Sequence, residues 1–296
     1  MLECVVNVSE GRLDAAIDAM ADATGSPLLD VHRDPDHNRS VFTIAADPHT
    51  TLTAARRLAT AVASTLDLAA HEGVHPRLGA LDVVPFVAIG DTPVRAAVGA
   101  ARAFATWWAS VHGVPCFFYD DADAEGRDLP SVRREAFVER APDLGPAKTH
   151  PRLGATAVGA RPPLVALNCV LDGGVVEDAR AIARAARERD GGMPGVRALG
   201  FWLASRERPQ VSLNLVDLER TGLERAWAQI ADLAGARGRS VSEVELVGLL
   251  PAAELARCGP AVRAAARLDD RRTIEGRMPS APGGAGARGP APETGR

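Results

Sequence analysis

Cysteine is scarce. Cys4, Cys116, Cys169 and Cys258 are the only four in 296 residues. None forms a CxxC pair, and two lie inside apolar, strand-like runs, which predicts reduced, buried thiols in a cytoplasmic protein. An excess of basic charge is missing as well. The net charge of −4 gives no overall attraction for nucleic acid or an anionic membrane, so an anionic ligand must meet a local basic pocket. No apolar run approaches the roughly 18 residues of a membrane span. Met1–Asn7 shows no basic region followed by a long apolar one, so no signal peptide is expected. There is no phosphate-cradling GxxxxGK and no nucleotide-binding fingerprint. What remains is an ordinary soluble composition, 46% hydrophobic and 24% charged, enough for one large domain or two moderate ones.

Periodicity organises the chain into a repeated order. Leu2 to Val8 predicts a strand, and Leu13 to Thr24 a helix with Ser9 as its cap. Two strands follow, Leu28 to Val31 and Ser40 to Ala45, on either side of a turn at Asp34–Arg39. A helix at Thr51 to Leu68 and a strand at Val83 to Ile89 complete the set. Val94 to His112 then predicts a helix, carrying the core or subunit-contact pair Trp107–Trp108, and Cys116 to Tyr119 a strand. A further helix is expected around Val132 to Arg140. The second half repeats the order: strand Leu164 to Leu171, helix Val176 to Arg189, strands Arg197 to Leu203 and Val211 to Leu218, helix Leu223 to Ala236, strand Val244 to Leu250. Asn7 is expected to answer to Asn168, and the turn at Asp36 to that at Glu207. Strand-helix-strand-strand-helix-strand written twice is the ferredoxin-like βαββαβ pattern. The expected fold is therefore α/β, with two sheets covered by helices. Subdomains at 1–161 and 162–267 and a disordered Gly/Pro/Ala tail at 268–296 complete the expectation.

One segment stands apart: His71-Glu-Gly-Val-His75-Pro-Arg77-Leu-Gly-Ala-Leu-Asp82. It concentrates two histidines, an arginine and two carboxylates in a connector, where binding and chemistry collect. Part of it recurs as His150-Pro-Arg152-Leu-Gly-Ala155. The string His71-Glu72-Gly-Val-His75 is a literal HExxH, which in zinc proteases needs a helix. Pro76 disfavours helical angles at His75 and no third ligand follows at a set spacing, so no metal is expected. On residues alone, His75 has two readings: a proton carrier with a pKa near neutrality, or a ring that only bonds the loop backbone. His150 has the same two. Arg77 and Arg152 can grip carboxylates or join surface ion pairs. Asn7, Glu10, Asn38 and Arg39 lie at strand ends and turns, where ligand contacts gather, and Lys148 adds a cation to a glycine-led loop.

Taken together the residues resemble the glutamate formimidoyltransferase (formiminotransferase) family, from about Leu2 to Arg267. The anchors are Glu3-Cys-Val-Val-Asn7-Val-Ser-Glu-Gly11, Leu28-Leu-Asp30, Asn38-Arg39 and His75-Pro-Arg77-Leu-Gly-Ala-Leu-Asp82-Val-Val-Pro-Phe86. Further along come Gly154-Ala-Thr-Ala-Val-Gly-Ala-Arg161, Pro194-Gly-Val-Arg-Ala-Leu-Gly200, Gln210-Val-Ser-Leu-Asn214 and Leu246-Val-Gly-Leu-Leu-Pro251. The likeness implies transfer of a formimino group from N-formimino-L-glutamate to N5 of tetrahydrofolate, the acceptor co-substrate. It also implies a folate groove between two subdomains, and a homodimer. The family's catalytic histidine falls on His75. Its folate-contacting loop falls on Gly145, Pro146, Ala147, Lys148, Thr149, His150, Pro151, Arg152, Leu153 and Gly154. Arg77, Asn7, Asn38 and Arg39 are expected to meet folate or donor. The sequence departs from the pattern at Val74, where relatives commonly place Glu, and at His32, where they commonly carry Asp. Those departures leave two alternatives, a paralogue with another formimino or formyl donor and a non-catalytic folate-binding protein.

Overall fold

The computed structural model describes residues 1–73 and 76–278. The first unit opens with strand β1 (Leu2–Val8), helix α1 (Asp14–Thr24), strands β2 (Leu28–Asp34) and β3 (Arg39–Ala46), helix α2 (Pro48–Thr65) and strand β4 (Leu81–Ala88). It continues through α3 (Val94–His112), β5 (Cys116–Asp120), α4 (Leu129–Glu135) and β6 (Thr156–Ala160). Its six strands run in the order β2-β3-β1-β4-β6-β5. The first four are antiparallel in ferredoxin-like order, and β6 extends them in parallel to both β4 and β5. The second unit holds β7 (Val165–Leu171), α5 (Val176–Ala186), β8 (Val196–Leu203), β9 (Arg208–Leu215), α6 (Leu223–Gly235) and β10 (Val241–Val247). Its order, β10-β7-β9-β8, is again ferredoxin-like.

Alternation decides which face each strand buries. Leu2, Cys4, Val6 and Val8 pack into a core with Ile17, Met20, Leu58, Val62, Phe104 and Trp108 from α1, α2 and α3. Val165, Leu167, Cys169 and Leu171 do the same against α5 and α6. Burial pushes Cys169 up to about 12 and Cys258 up to about 11, so these thiols stay protonated and pack as small hydrophobes. β4 is buried along nearly its whole length, as a strand covered on both faces requires. Trp108 is wholly buried and donates its indole N–H to Thr156 Oγ1 at 2.9 Å, which fastens α3 to β6.

Several expectations are corrected. Ser9 does not cap α1, since its hydroxyl donates to the Gly79 carbonyl. Glu10 holds the turn before the helix instead, its Oε1 accepting the amides of Arg12 and Leu13 at 2.7 and 2.9 Å, and α1 itself has no side-chain cap. The helix around Val132 ends at Glu135, because Phe137 turns left-handed at φ 62. Strand β6, assembled from small residues, is absent from the periodicity reading. Asn7 does not answer to Asn168. Asn7 pairs with Val41, three residues past the left-handed Asn38, and Val170 pairs with Gln210, three past the left-handed Glu207. Counted from the matching turns, Asn7 answers to Val170 and Glu3 to Ala166. The chain also stays folded past Leu268. A turn at Asp270–Arg272 leads into helix Ile274–Arg277, and Ile274 packs with Leu29, Ala45 and Leu249. Residues 279–296 of the expected tail lie outside the described residues.

The two units touch at several points. Besides the Leu29–Leu249 cluster, Asp36 accepts from the Ser205 amide at 2.9 Å. His37 meets Phe201 edge-on at 4.9 Å, and Arg197 pairs with Asp128 at 3.2 Å.

Candidate active site

The Leu-Gly-Ala ends of the two His-Pro-Arg-Leu-Gly-Ala copies, Leu78–Ala80 and Leu153–Ala155, lie side by side within the first unit. Gly79 and Gly154 form an antiparallel bridge. The Ala80 amide donates to Leu153 O at 2.9 Å and the Ala155 amide to Leu78 O at 3.0 Å. Only glycine allows this approach. A Cβ on Gly79 would lie 2.2 Å from Ala155 O, and one on Gly154, at φ +70, would lie 2.4 Å from Leu78 O. The repeated motif is thus a pair of backbone strips that sets the His71–Asp82 segment against the 145–154 loop, rather than a marker of the domain repeat.

Within the loop, His150 Nδ1 accepts the amides of Arg152 and Leu153 at 3.2 and 3.0 Å. A neutral His150 therefore carries its proton on Nε2. Arg152 reaches Leu66 O at 3.2 Å while its own carbonyl accepts from the Leu68 amide at 2.7 Å. Residues 145 to 149, Lys148 among them, are exposed.

His75 and Val74 lie outside the described residues. His71 is extended, at φ −101 and ψ 126, so the helix that a zinc-binding HExxH uses does not begin there. Burial and the adjoining Arg77 guanidinium push the His71 imidazole below its usual value, against a pull from Glu10. A neutral ring can accept the hydrogen bond from Arg77. Asn38 ties three segments together: its Oδ1 accepts the Gly11 amide at 2.9 Å and its Nδ2 donates to Glu72 O at 2.8 Å. Its left-handed backbone suits asparagine.

Beneath this lies a charged centre around Asp82, which is wholly buried. Asp82 Oδ2 accepts from Arg39 Nη1 and from Arg133 Nη2, each at 2.6 Å. Oδ1 accepts the Leu78 amide at 2.6 Å and Arg133 Nη1 at 3.2 Å. Arg39 Nε donates to Asn7 Oδ1 at 3.0 Å, and Asn7 Nδ2 to Val5 O at 3.0 Å. Burial alone would raise the Asp82 carboxyl. Arg133 and Arg39 outweigh it and, with the Leu78 amide, hold it well below the usual carboxylate range.

The structure thus places Asn7, Asn38, Arg39 and Arg77 around one end of β1, β3 and β4, with Gly154 paired to the strip that follows Arg77. Sequence reasoning quoted Asp82 without assigning it a role, and it missed Arg133. A carboxylate at the start of a valine-rich strand was the available signal for Asp82. Nothing in the sequence marks Arg133, which arrives on α4 from far along the chain.

Comparison with known proteins identifies the family. The formiminotransferase domain, N-terminal subdomain, matches residues 1–161, and the formiminotransferase domain matches residues 166–263. Glutamate formimidoyltransferase of Streptococcus pyogenes serotype M1 is 37% identical over 270 residues, spanning 86% of this chain and 90% of that protein. The Thermoplasma acidophilum protein of the same name is 36% identical, spanning 85% and 88%. Formimidoyltransferase-cyclodeaminase of Sus scrofa is 37% identical over 272 residues, 85% of this chain and 50% of its own length. With both subdomain models matched in order and the two glutamate formimidoyltransferases matched over 90% and 88% of their length, the chain belongs to the formiminotransferase family.

Proposed function

We propose that the protein transfers the formimino group of N-formimino-L-glutamate to N5 of tetrahydrofolate, giving 5-formiminotetrahydrofolate and glutamate. The observation that carries this reading is the 37% identity across 90% of the Streptococcus glutamate formimidoyltransferase. In the chemistry, the N5 amine attacks the amidine carbon to form a tetrahedral intermediate, N5 loses a proton, and the bond from that carbon to the glutamate nitrogen breaks as the nitrogen takes a proton up. His75 is assigned as the base for the first transfer and the acid for the second, a pair of roles open to an imidazole because the free side chain titrates at about 6.5. Preorganised donors stabilise the intermediate. Asn7, Asn38, Arg39 and Arg77 are the polar groups assigned to the substrates, and the 145–154 loop to folate. The scheme uses tetrahydrofolate as acceptor and no metal.

The folate groove is assigned to the space between the subdomains at 1–161 and 162–267, and the protein to the cytoplasm as a homodimer. No helix among the described residues is long and apolar enough to cross a membrane. The assay is glutamate release from formiminoglutamate with and without tetrahydrofolate. Release that requires both supports the reading. Folate binding by calorimetry without turnover of any donor would make this a folate-binding protein. Turnover only with a different formimino or formyl donor would make it the diverged paralogue that Val74 and His32 suggest.

A further inference from the structure

Asp82 is one carboxylate shared by two guanidinium groups, which leaves the Asp82–Arg39–Arg133 cluster with a net positive charge. The side chains of Arg39 and Arg133 are only 12% and 18% exposed, and that of Asp82 is 0% exposed. More positive charge stands close by. Arg12 and Arg133 both act on Arg77, and Arg133 and Arg77 both help to depress Arg39, whose largest perturbation is burial. Concentrating cations where water is scarce costs stability, a cost that a carboxylate gripped by the guanidinium groups would offset. The cluster is tied to the segment that carries the proposed proton shuttle, because the Leu78 amide donates to Asp82 at 2.6 Å.

We infer that Arg133, together with Arg39 and fixed by Asp82, takes a carboxylate of the formimino donor rather than one of folate. The inference rests on the proposed reaction and deepens it. In the donor, the α-carboxylate sits on the carbon attached to the very nitrogen that leaves, so it stays close to the reacting atoms. In tetrahydrofolate, the carboxylates hang from the far end of the aminobenzoyl arm, well away from N5. Guanidinium groups beside the reacting segment are therefore matched to the donor's carboxylate, which Arg133 would take through the N–H groups it does not give to Asp82. Asp82 acts as a positioning residue, holding both forks at fixed angles.

The test uses Arg133→Lys and Arg133→Gln in the full chain, with KM measured separately for each substrate. The expected result is a KM for formiminoglutamate raised about 10-fold by Arg133→Lys and about 100-fold by Arg133→Gln, from loss of hydrogen bonds to a charged group, with the tetrahydrofolate KM unmoved. An unchanged donor KM in the folded variants, or a tetrahydrofolate KM rising in step, overturns the inference. Arg133→Lys keeps the charge near Asp82 and carries the test if Arg133→Gln fails to fold. A second readout needs no turnover. Calorimetry with N-acetyl-L-glutamate as probe should show binding to the wild type that weakens by similar factors in the variants. Absent or equal binding overturns the inference even where the transfer reaction itself is intact.

Discussion

In both units the last strand of the βαββαβ motif holds one extra residue against the first strand. In β4 it is Asp82, skipped between the pairs Leu81↔Val8 and Val83↔Asn7. In β10 it is Ser242, skipped between Val241↔Leu171 and Glu243↔Val170. An arginine one residue past the left-handed hairpin position reaches each bulge. Arg39 meets Asp82 at 2.6 Å, and Arg208 donates to Ser242 Oγ at 3.2 Å. The scaffold is the same and the consequence differs. Asp82 is sealed, whereas Ser242 is exposed and Arg208 turns partly to Asp172 at 3.5 Å, with 43% of its side chain in solvent. What seals the first bulge is the extension that the second unit lacks, since α4, packed against β5, delivers Arg133. A bulge re-aims one side chain, but cover from a neighbouring element decides whether that side chain becomes a buried charged centre or a surface contact.

Substitution at the two bulges breaks this comparison most sharply. Asp82→Ala should destabilise the protein by about 3–5 kcal/mol, because it strands two buried guanidinium groups, while Ser242→Ala should change stability by less than about 0.5 kcal/mol. Denaturant unfolding measures both. Equal effects would mean that the cover provided by α4 is irrelevant.

A second contrast is Glu3, whose counterpart in the other unit is the neutral Ala166. Burial pushes Glu3 up to about 7, with Arg161 offsetting only part of that. Its folded-state pKa is raised, so the folded state binds the extra proton. The stability it contributes is full below about pH 4.5 and is lost as the pH rises through about 7. The loss amounts to about 3 kcal/mol at most. Glu3→Gln should flatten that slope, and thermal unfolding at pH 5, 6 and 7.5 would reveal a slope that survives the substitution.

Next in size is Gly79→Ala, which forces a Cβ into backbone that has no counterpart in the second unit. A cost of about 1–3 kcal/mol is expected, with faster amide exchange at Ala80 and Ala155. Wild-type protection at those amides would contradict the strip pairing. The smallest effect is expected from Ser242→Asp. It copies the first unit's carboxylate onto an exposed bulge and should add no more than about 1 kcal/mol, diminishing with salt.

Much of this was legible in the residues. Apolar alternation placed β1 from Leu2 to Val8, helical spacing placed α3 from Val94 to His112, and the doubled His-Pro-Arg-Leu-Gly-Ala pointed to the two backbone strips that pair at Gly79 and Gly154. What stayed hidden depended on tertiary cover. No local pattern separates Arg133 from the other arginines of a solvent-facing helix, because its partner is buried on a distant strand. Asn168 looked like the partner of Asn7 because both are asparagines in apolar strands, yet pairing register, set by the hairpin turns, picks Val170. Strand β6 escaped notice because Ala157 and Gly159 are too small to announce a strand, and the same smallness lets the Tyr119 ring lie against Gly159.

The central claim is that an imidazole at position 75 moves the proton during formimino transfer, and a single-turnover rate tests it most directly. Wild type and His75→Ala would be mixed, each saturated with formiminoglutamate and tetrahydrofolate. The account predicts a rate lower by about 100- to 10,000-fold in the variant, with substrate binding little changed and partial recovery on adding free imidazole. A variant that transfers the group at the wild-type rate would contradict it.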